Sequence, residues 1–401
     1  GHIINEDFFK FIAENEKGDI ARLLLKYSDK ELGFDLRFAI SQIALRQKTS
    51  RKLPSFISHS RFIFPDSVSA EMASDEKVAS FHASIVGKGK KVTDLTAGLG
   101  IDAFSICFAG NTLTAVELDK GKAEALEYNA FAMEASCLKV INSNCIDYIS
   151  SLDFSDFPDI FFIDPARRNS TNRRAYSFKD CLPDITAFYK TLVRGYSKLM
   201  IKASPLLDIT SIEKDFEGIE AIYIIGVKGE VKEVLIVIGG NESILHNIHA
   251  IDIMGDGEYN EFTISSLRSE YTVGIATHLE LKEGLFLYEP NAMVMKLHAS
   301  HEISEQFKDI KKVSPNSELY ISEKMYEGFP GRIIKIDNVL SSKELKKIKN
   351  KGYSIVVRNY PETSESLKTK LRVSENDSRF IYAFRIGKDE KPIVISGTRI
   401  V

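Results

Sequence analysis

Residues 92–102 read VTDLTAGLGID and set the architecture of this chain. A short run of apolar and β-branched residues leads into a glycine loop, and a helical pattern follows. Glycines in such a loop let the main chain approach a ligand closely, and the N–H groups of the next helix point back at the loop. The stretch therefore predicts a strand, a ligand-binding loop and a helix in succession.

Short β-rich apolar runs alternate with amphipathic helical segments on both sides of this stretch. That alternation is typical of a parallel sheet covered by helices. We predict strands at residues 91–95, 112–117, 138–142, 160–164, 198–202, 221–226 and 231–238. Only the turn Lys228-Gly229-Glu230 joins the last two strands, so they should form an antiparallel hairpin at the sheet edge. The fold class is therefore α/β, with a Rossmann-like seven-stranded sheet.

Acidic residues follow the first two predicted strands. A carboxylate at Asp94, just before the glycine loop, suits the cationic amino-acid end of S-adenosylmethionine but would repel a pyrophosphate. Glu117 ends the second strand, where an acidic side chain can accept hydrogen bonds from both hydroxyls of a ribose. The predicted cofactor is therefore S-adenosylmethionine. Its predicted binding residues are Asp94, Thr96, Ala97, Gly98, Gly100, Glu117, Leu118, Asn144, Cys145 and Asp164.

Three features around the loop leave alternatives open. The pattern Gly98-x-Gly100-x-x-Ala103 also satisfies the dinucleotide fingerprint, so an NAD enzyme is one alternative. After the third strand, either Asn144 or Asp147 could accept from an adenine amino group. Upstream, residues 69–74 would cover the methionine moiety as a lid, or would only cap a helix through Ser69 or Ser74.

The fourth predicted strand ends in Ile163-Asp164-Pro165-Ala166-Arg167-Arg168. Ligands of open α/β sheets bind beyond the carboxyl ends of the strands near the switch point, so this loop should face the glycine loop. We predict Asp164, Pro165 and Arg167 as catalytic residues. Nucleophilic attack by a cysteine is the rival chemistry, and Cys181 is the nearby cysteine.

The loop after the fourth strand resembles the Asp-Pro-Pro-Tyr signature of amino-group methyltransferases, which holds a planar amine towards the sulfonium methyl group. Ala166 and Arg167 stand in place of the second proline and the aromatic residue, which departs from the base-stacking form of that loop. Residues 94–104 are similar to the motif of bacterial small-subunit rRNA guanine-N2 methyltransferases. The predicted seven-stranded sheet that ends in a hairpin also resembles the sheet of class I methyltransferases.

The chain as a whole is closer to bacterial methyltransferases that carry a small ferredoxin-like domain and a C-terminal THUMP-like domain. The stretches that carry this resemblance are residues 164–168, 287–292, 329–332 and 357–361. THUMP relatives are associated with RNA, so the resemblance implies RNA as a partner. Apolar residues at helical spacing from Asp7 to about Gln47 predict a helical domain at 1–60. The other predicted domains are a methyltransferase domain at 61–245, a ferredoxin-like domain at 270–317 and a THUMP-like domain at 318–401.

The net charge of -3 gives no global attraction to nucleic acid, so contacts with RNA must come from local basic patches. Each patch could instead be an ordinary solvated face. The patches are Arg46, Lys48, Arg51 and Lys52; Arg167, Arg168, Arg173 and Arg174; and Lys343, Lys346, Lys347, Lys349 and Lys351.

The remaining composition favours a cytoplasmic protein. No apolar run reaches the roughly 20 residues that cross a bilayer, and no signal-peptide pattern opens the chain. Its four cysteines show no CxxC spacing, so we predict no metal site, no disulfide framework and reduced, mostly buried thiols.

Together these features predict methyl transfer from S-adenosylmethionine to a base nitrogen of rRNA or tRNA, with the exocyclic amine of guanine favoured. Two alternatives stay open: methylation of a protein or small molecule, and a non-catalytic RNA-binding protein that keeps the cofactor fold.

Overall fold

The computed structural model describes residues 2–167, 176–239, 247–265 and 273–401. The chain divides into two compact units. Unit 1 comprises Gly1–Glu220 and Glu233–Ile244, and unit 2 comprises Ala221–Lys232 and Leu245–Val401. The arginines predicted to contact RNA at positions 168, 173 and 174 lie outside the described residues, as does the side chain of Arg167.

Unit 1 begins with helices, as the spacing of its apolar residues predicts. They are α1 (Glu6–Glu14), α2 (Ile20–Lys26), α3 (Leu36–Lys48), α4 (Pro54–Ile57), α5 (Ser67–Met72) and α6 (Glu76–Val86). The side chains of Asn5, Asp19 and Asp35 cap the first three by accepting a main-chain N–H in the first turn. Phe8 of α1 and Ile43 of α3 are fully buried in their shared apolar core.

The seven predicted strands are present, each to within two residues at either end. They are β1 (Lys91–Asp94), β2 (Thr112–Glu117), β3 (Leu138–Asn142), β4 (Ile160–Ile163), β7 (Lys198–Ala203), β8 (Ile219–Val227) and β9 (Glu230–Ile238). Two short strands, β5 (Ala166–Arg167) and β6 (Cys181–Leu182), were not predicted. The helices among them are α7 (Ile101–Phe108), α8 (Lys120–Ala132), α9 (Cys145–Ser151), α10 (Tyr189–Leu192) and α11 (Ile212–Asp215).

The sheet of unit 1 reverses its strand order at β1. On one side β1 pairs in parallel with β2, which pairs with β3; on the other it pairs in parallel with β4, which pairs with β7. β7 then pairs antiparallel with the part of β9 that belongs to unit 1. The reversal leaves a crevice beyond the carboxyl ends of β1 and β4, where ligands of open α/β sheets bind.

The turn between β8 and β9 is the tight hairpin turn that the sequence predicts. Lys228 and Gly229 both have positive φ, 50° and 82°, as hairpins of the mirror-image turn type require. The predicted edge position is wrong, because Asn247–Ile253 forms β10 and pairs in parallel with β8. β11 (Tyr259–Ile264) follows as an antiparallel neighbour of β10. Neither strand was predicted, because the regular alternation of strands and helices stops after Gly239.

A seven-stranded sheet occupies the rest of unit 2, in the order β13-β14-β12-β15-β18-β17-β16. Its strands are β12 (Phe286–Pro290), β13 (Lys311–Ser314), β14 (Ser317–Ser322), β15 (Gly331–Val339), β16 (Ser354–Arg358), β17 (Arg379–Ile386) and β18 (Lys391–Arg399). The accompanying helices are α12 (Ala292–Leu297), α13 (Ser300–Gln306), α14 (Ser342–Lys347) and α15 (Ser364–Leu371). Alternate residues of β17 enter two different apolar clusters, as the two-residue period of a strand requires.

This sheet bears on the two predicted C-terminal domains. β12 and β13 come from the segment 270–317, and β15 to β18 come from 318–401, yet all belong to one sheet. β14 runs across the predicted boundary. A truncation at residue 318 would therefore cut β14 out from between β13 and β12, and the domain bounds remain predictions.

A disulfide joins Cys107, near the end of α7, to Cys137, just before β3, with Cα atoms 5.8 Å apart. The prediction of four reduced thiols is wrong for this pair. The two cysteines are 30 residues apart in sequence, so no local motif marks them; the packing of the sheet brings them together. Cys145 and Cys181 are not part of this disulfide and remain thiols.

Metal sites and membrane-spanning helices can be assessed only for the described residues. Within them, no group of three or more histidine, cysteine, aspartate or glutamate side chains is arranged to hold a metal ion. No helix in the same part of the chain is both long and apolar enough to cross a membrane.

Two buried amide side chains fix the segment between the N-terminal helices and the sheet. Asn129 of α8 accepts from the N–H of Ile63 and donates to its carbonyl, both at 2.9 Å. Gln42 of α3 binds both main-chain groups of Phe64 in the same way, at 2.8 Å. Each amide therefore replaces the neighbouring strand that this segment lacks.

Part of the first predicted basic patch is engaged with the main chain. Arg46 is buried, and its guanidinium donates to four carbonyl oxygens between Ile57 and Phe62, at 2.7–3.3 Å. The ammonium group of Lys52 donates to the carbonyls of Ala70 and Glu71. Arg46 is thus a structural residue, and it is not part of an exposed patch.

A buried histidine links the helical layer of unit 1 to its sheet. Nδ1 of His82, on α6, lies 2.7 Å from a carboxylate oxygen of Asp102 on α7, and Nε2 is hydrogen-bonded to Glu233 on β9. Burial lowers the pKa of His82, but the two carboxylates outweigh burial and raise it to about 9. The ring is therefore protonated at neutral pH, and both nitrogens donate.

Replacing Asn129 with leucine should destabilise unit 1 by ~2–4 kcal/mol, because the N–H and carbonyl of Ile63 would be buried without partners. Urea denaturation measures the change in the free energy of unfolding. Glu124→Leu, on the exposed face of the same helix, is the matched control and should be nearly neutral. Equal effects of the two substitutions would contradict the proposed role of Asn129.

The stability of unit 1 should fall as the pH rises. Because the pKa of His82 is raised above 6.5 in the folded state, its contribution is complete below pH 6.5 and is lost as the pH passes about 9. The full effect is about 3 kcal/mol. Urea denaturation between pH 6 and 9.5 measures the free energy of unfolding, which should depend less on pH in the double variant His82→Gln/Glu233→Gln than in the unmodified chain. His59→Gln changes an exposed histidine and is the control, with the pH dependence of the unmodified chain. A double variant with the full dependence would disprove the assignment.

Candidate functional site

The glycine loop lies at the carboxyl end of β1, and its two glycines have different roles. Gly98 has φ +57°, and nothing lies within 4 Å of the position that a Cβ would occupy, so it borders open space. Gly100 has φ +91°, and a Cβ there would lie 2.4 Å from a methyl group of Leu126. Gly98 therefore leaves room for a ligand, whereas Gly100 allows α8 to pack against the loop.

The rest of the loop is tied to the two strands that flank β1. The N–H of Ala97 donates to the carbonyl of Val116 on β2, at 3.0 Å, and the N–H of Leu95 donates to Phe162 on β4, at 2.8 Å. Asp94 accepts from the N–H of Thr96 at 3.1 Å. These bonds fix the loop before any ligand arrives.

The register of the sheet brings the predicted site residues to one edge. Asp94 lies opposite Ala115 on β2 and opposite Phe162 on β4. Glu117 and Asp164 each lie two residues beyond these partners. On β3, Asn142 lies opposite Glu117, and Asn144 follows two residues later. Four consecutive strand ends therefore present the predicted residues to the same crevice.

A threonine joins the glycine loop to the predicted catalytic loop. The side-chain oxygen of Thr96 accepts from the N–H of Asp164 at 2.7 Å. The Asp164 carboxylate is about half exposed, at 51% of its side chain, and Pro165 behind it is buried. Asp164 is therefore held at its main chain while its carboxylate faces the crevice.

Lys202 on β7 was not predicted as a site residue. Its ammonium group is buried and donates to Asp102 at 2.9 Å and to the hydroxyl of Ser74 at 2.6 Å. A carboxylate oxygen of Asp164 lies 3.3 Å from the same nitrogen. Burial lowers the pKa of Lys202, but Asp102, Asp164 and Glu233 outweigh burial and raise it well above its ordinary value. Lys202 is therefore a fixed cation beside Asp164.

The same charges set the protonation of the two buried aspartates. Burial raises the pKa of Asp102, but Lys202 and His82 lower it well below its usual range. Asp94 is 2% exposed, and burial raises its pKa; the Asp102 carboxylate raises that pKa further. The Thr96 N–H and Lys202 lower the pKa of Asp94, and its net value is about 8. Asp102 is thus ionised and Asp94 holds a proton at neutral pH.

An ionic chain therefore runs from the core to the crevice: Glu233, His82, Asp102, Lys202 and Asp164. Two features of the sequence point weakly to this chain of charges: Lys202 interrupts the buried strand β7, and His82 lies on the apolar face of α6. Each residue alone is compatible with an ordinary partnered core residue, so sequence reasoning passed over both.

The residues predicted to bind an adenosine lie after β2 and β3. Leu118 is 68% exposed beside Glu117, whose carboxylate accepts from the N–H of Asp119 at 3.2 Å. Asn144 caps α9, and its side-chain oxygen accepts from the N–H of Ile146 at 2.8 Å. Cys145 is half-buried, and burial raises the pKa of its thiol. An adenine contact at Asn144 would therefore compete with its role as a cap.

For residues 69–74 the predicted capping role of Ser69 or Ser74 is wrong, whereas the lid alternative stays a prediction. Asp66 caps α5 and Asp75 caps α6, so neither predicted serine is the cap. Ser74 instead binds Lys202. Cys181 is fully buried, and its Sγ lies within hydrogen-bonding distance of the Tyr176 hydroxyl, at 3.3 Å. A buried thiol in this position does not suit a nucleophile.

Comparison with known proteins identifies a ferredoxin-like domain at residues 286–330, by a match to a family model. That stretch contains β12 to β14 and the helices α12 and α13. A crystal structure of a protein from Porphyromonas gingivalis W83, described as a candidate methyltransferase, covers 100% of both chains with a TM-score of 0.86 and 22% identity.

Two curated relatives match a shorter part of the chain. The ribosomal RNA small subunit methyltransferase J of Legionella pneumophila (strain Philadelphia 1) is 35% identical over 83 residues, which are 20% of this chain and 34% of that protein. The enzyme of the same name from Nitrosococcus oceani is 32% identical over 82 residues, 18% of this chain and 32% of that protein. The chain thus spans about a third of the length of these relatives.

The fold is therefore that of the Porphyromonas gingivalis protein, an α/β architecture with a Rossmann-like sheet and a ferredoxin-like domain.

Proposed function

We propose that this protein is an S-adenosylmethionine-dependent methyltransferase that modifies a nitrogen of an RNA base in the cytoplasm, with the exocyclic amine of guanine favoured. The observation that carries the proposal is the hydrogen bond from the Asp164 N–H to Thr96. It couples the loop that would bind a methyl donor to the loop that would bind an amine. The names of the partial relatives, both rRNA methyltransferases, support RNA as the substrate.

Two features of the site support S-adenosylmethionine as the cofactor. Open space borders Gly98, and carboxyl groups at Asp94 and Glu117 lie at neighbouring strand ends. The pKa of the Asp94 carboxyl is about 8, so a cationic ligand favours its ionised form, and that form would repel a pyrophosphate, which disfavours NAD. The residues that would hold the cofactor are Asp94, Thr96, Ala97, Gly98, Gly100, Glu117, Leu118, Asn144 and Cys145. When bound, it supplies an electrophilic methyl group on a sulfonium.

Asp164 would receive the substrate amine. Its carboxylate can accept a hydrogen bond from the amine N–H, which orients the nitrogen lone pair away from Asp164 and towards the donor. Positive charge would develop on the nitrogen as it accepts the methyl group and the sulfonium becomes a neutral thioether, and the Asp164 carboxylate would stabilise that charge. The Lys202 ammonium group, 3.3 Å away, helps to hold the Asp164 carboxylate in place. The proton of the methylated amine then leaves to water.

Pro165 and Arg167 complete the proposed catalytic loop. The buried Pro165 fixes the backbone after Asp164, because proline restricts its own φ and the conformation of the residue before it. Arg167 and the neighbouring arginines would pair with RNA phosphates.

Binding of S-adenosylmethionine should depend on the proton of Asp94. A cation placed beside Asp94 lowers the pKa of that carboxyl from about 8, so binding releases a proton and affinity rises by up to about tenfold per pH unit between about pH 6 and 7.5. Isothermal titration in buffers of different ionisation enthalpy measures both effects. Asp94→Asn should abolish the proton release.

Glu117→Ala is the companion variant in the same titration. It should weaken binding by ~1–3 kcal/mol through lost charge-assisted hydrogen bonds, while the proton release at Asp94 persists. Unchanged affinity would remove the ribose assignment of Glu117, and proton release by Asp94→Asn would remove the role of Asp94.

Asp164→Ala should lower the rate of methyl transfer by ~10²–10³-fold with little change in cofactor affinity, because it removes one preorganised electrostatic contact. Incorporation of labelled methyl groups into total RNA measures the rate. Cys181→Ser is the control and should be nearly silent. An inactive cysteine variant or a trapped covalent RNA adduct, together with an active Asp164→Ala, would establish carbon methylation instead. Substrate binding that does not depend on salt would point to a protein or small molecule.

A further inference from the structure

A polar cavity of about 600 Å³ lies in unit 2, beyond the end of β16 and at the start of α15. Its walls include Glu289, Arg332, Arg358, Asn359, Thr363 and Ser364. The three C-terminal sequence stretches noted above, 287–292, 329–332 and 357–361, each contribute to it. The function proposed for unit 1 uses none of these residues.

A buried carboxylate organises the two arginines of the cavity. Glu289 is 7% exposed, and its Oε1 accepts from the Tyr382 hydroxyl at 3.1 Å. Arg332 approaches Oε1 at 3.4 Å, and Nε of Arg358 forms an ion pair with Oε2 at 3.1 Å. Among the described residues, no donor reaches Oε2 with hydrogen-bond geometry. One carboxylate therefore faces two guanidinium groups, which leaves the cluster with a net positive charge.

Both guanidinium groups are held in place and still reach solvent. Arg332 stacks on the ring of Phe380, with 4.6 Å between the guanidinium carbon and the ring centre, and also donates to the Tyr382 hydroxyl at 3.2 Å. The side chains of Arg332 and Arg358 are 31% and 46% exposed. Their remaining N–H groups can bind an anion without first ordering a flexible side chain.

The main chain adds to the same positive field. β16 runs parallel to β17, and the segment after its last residue, Arg358, leads directly into α15. The N–H groups at the start of a helix attract anions. The connecting loop is fixed, because Asn359 donates to Ser317 and Glu390 and accepts from Arg385.

The other acid of the cavity wall does not cancel this field. Glu362 forms an ion pair with Lys370 at 2.7 Å. The cavity therefore combines two positioned arginines with a helix N-terminus, which is the chemistry that binds phosphate oxygens. Its volume is in the range that accommodates a nucleotide-sized ligand.

We propose that this cavity binds one nucleotide unit of a single-stranded RNA through its phosphate, with Arg332, Arg358 and the N-terminus of α15 as the phosphate ligands. The inference rests on the proposed function only in taking RNA as the partner. It makes unit 2 an RNA-holding module whose affinity is independent of the methyl donor.

The test uses the full chain and a fluorescently labelled single-stranded RNA of about 12 nucleotides, with binding followed by anisotropy at several salt concentrations. Arg358→Met should weaken binding about tenfold and reduce the salt dependence by about one phosphate contact. Ser364→Glu should weaken binding similarly while keeping or raising stability, because a negative charge favours the first turn of a helix but repels phosphate. Arg399→Met, which removes an arginine outside the cavity wall, should change affinity less than about twofold.

Two results would overturn the inference: RNA binding by Arg358→Met and Ser364→Glu that equals that of Arg399→Met, or no RNA binding by the unmodified chain. Inorganic phosphate or a mononucleotide that binds as tightly as the RNA would show a small-anion site and would overturn it as well. S-adenosylmethionine titration of the same variants separates the two proposals. If the cavity variants lose RNA affinity but the unmodified chain has no methyltransferase activity, this inference stands and the proposed function is refuted.

Discussion

The buried ammonium group of Lys202 is the interaction on which the site of unit 1 depends. An ammonium ion buried in this sheet without partners would lower the stability of the fold by several kcal/mol. Asp102, Ser74 and Asp164 supply those partners, and His82 with Glu233 continues the chain of charges into the core. Because a partly satisfied buried network is unstable, these residues constrain one another and hold the crevice in a single arrangement.

This network also gives two acidic side chains of one crevice different surroundings. Asp164 is half exposed, and its carboxylate lies 3.3 Å from the ammonium group of Lys202. Asp94 is fully enclosed and close to the charge of Asp102, so its pKa rises to about 8. One group can therefore stabilise charge on a substrate, whereas the other can exchange its proton for a cationic ligand.

The two units present opposite local charge. The crevice of unit 1 is lined by carboxyl groups at the ends of β1, β2 and β4, which suits a sulfonium ligand. The cavity of unit 2 is lined by Arg332 and Arg358, which suits phosphate. A net charge of -3 hides this division, because it averages the two regions. Local arrangement, and not total charge, therefore indicates what each unit can bind.

Local sequence determined the strands of unit 1 and the positions of Asp94, Glu117 and Asp164, because apolar runs, turn glycines and strand ends are encoded by neighbouring residues. Tertiary structure alone decided the links of Lys202 to Asp102 and of His82 to Glu233, whose partners are 100 and 151 residues apart. It also decided the Cys107–Cys137 disulfide, the burial of Arg46 and the cavity around Glu289. The physical reason is that burial, charge pairing and pKa depend on which side chains the packed sheet brings together, and no local pattern contains that information.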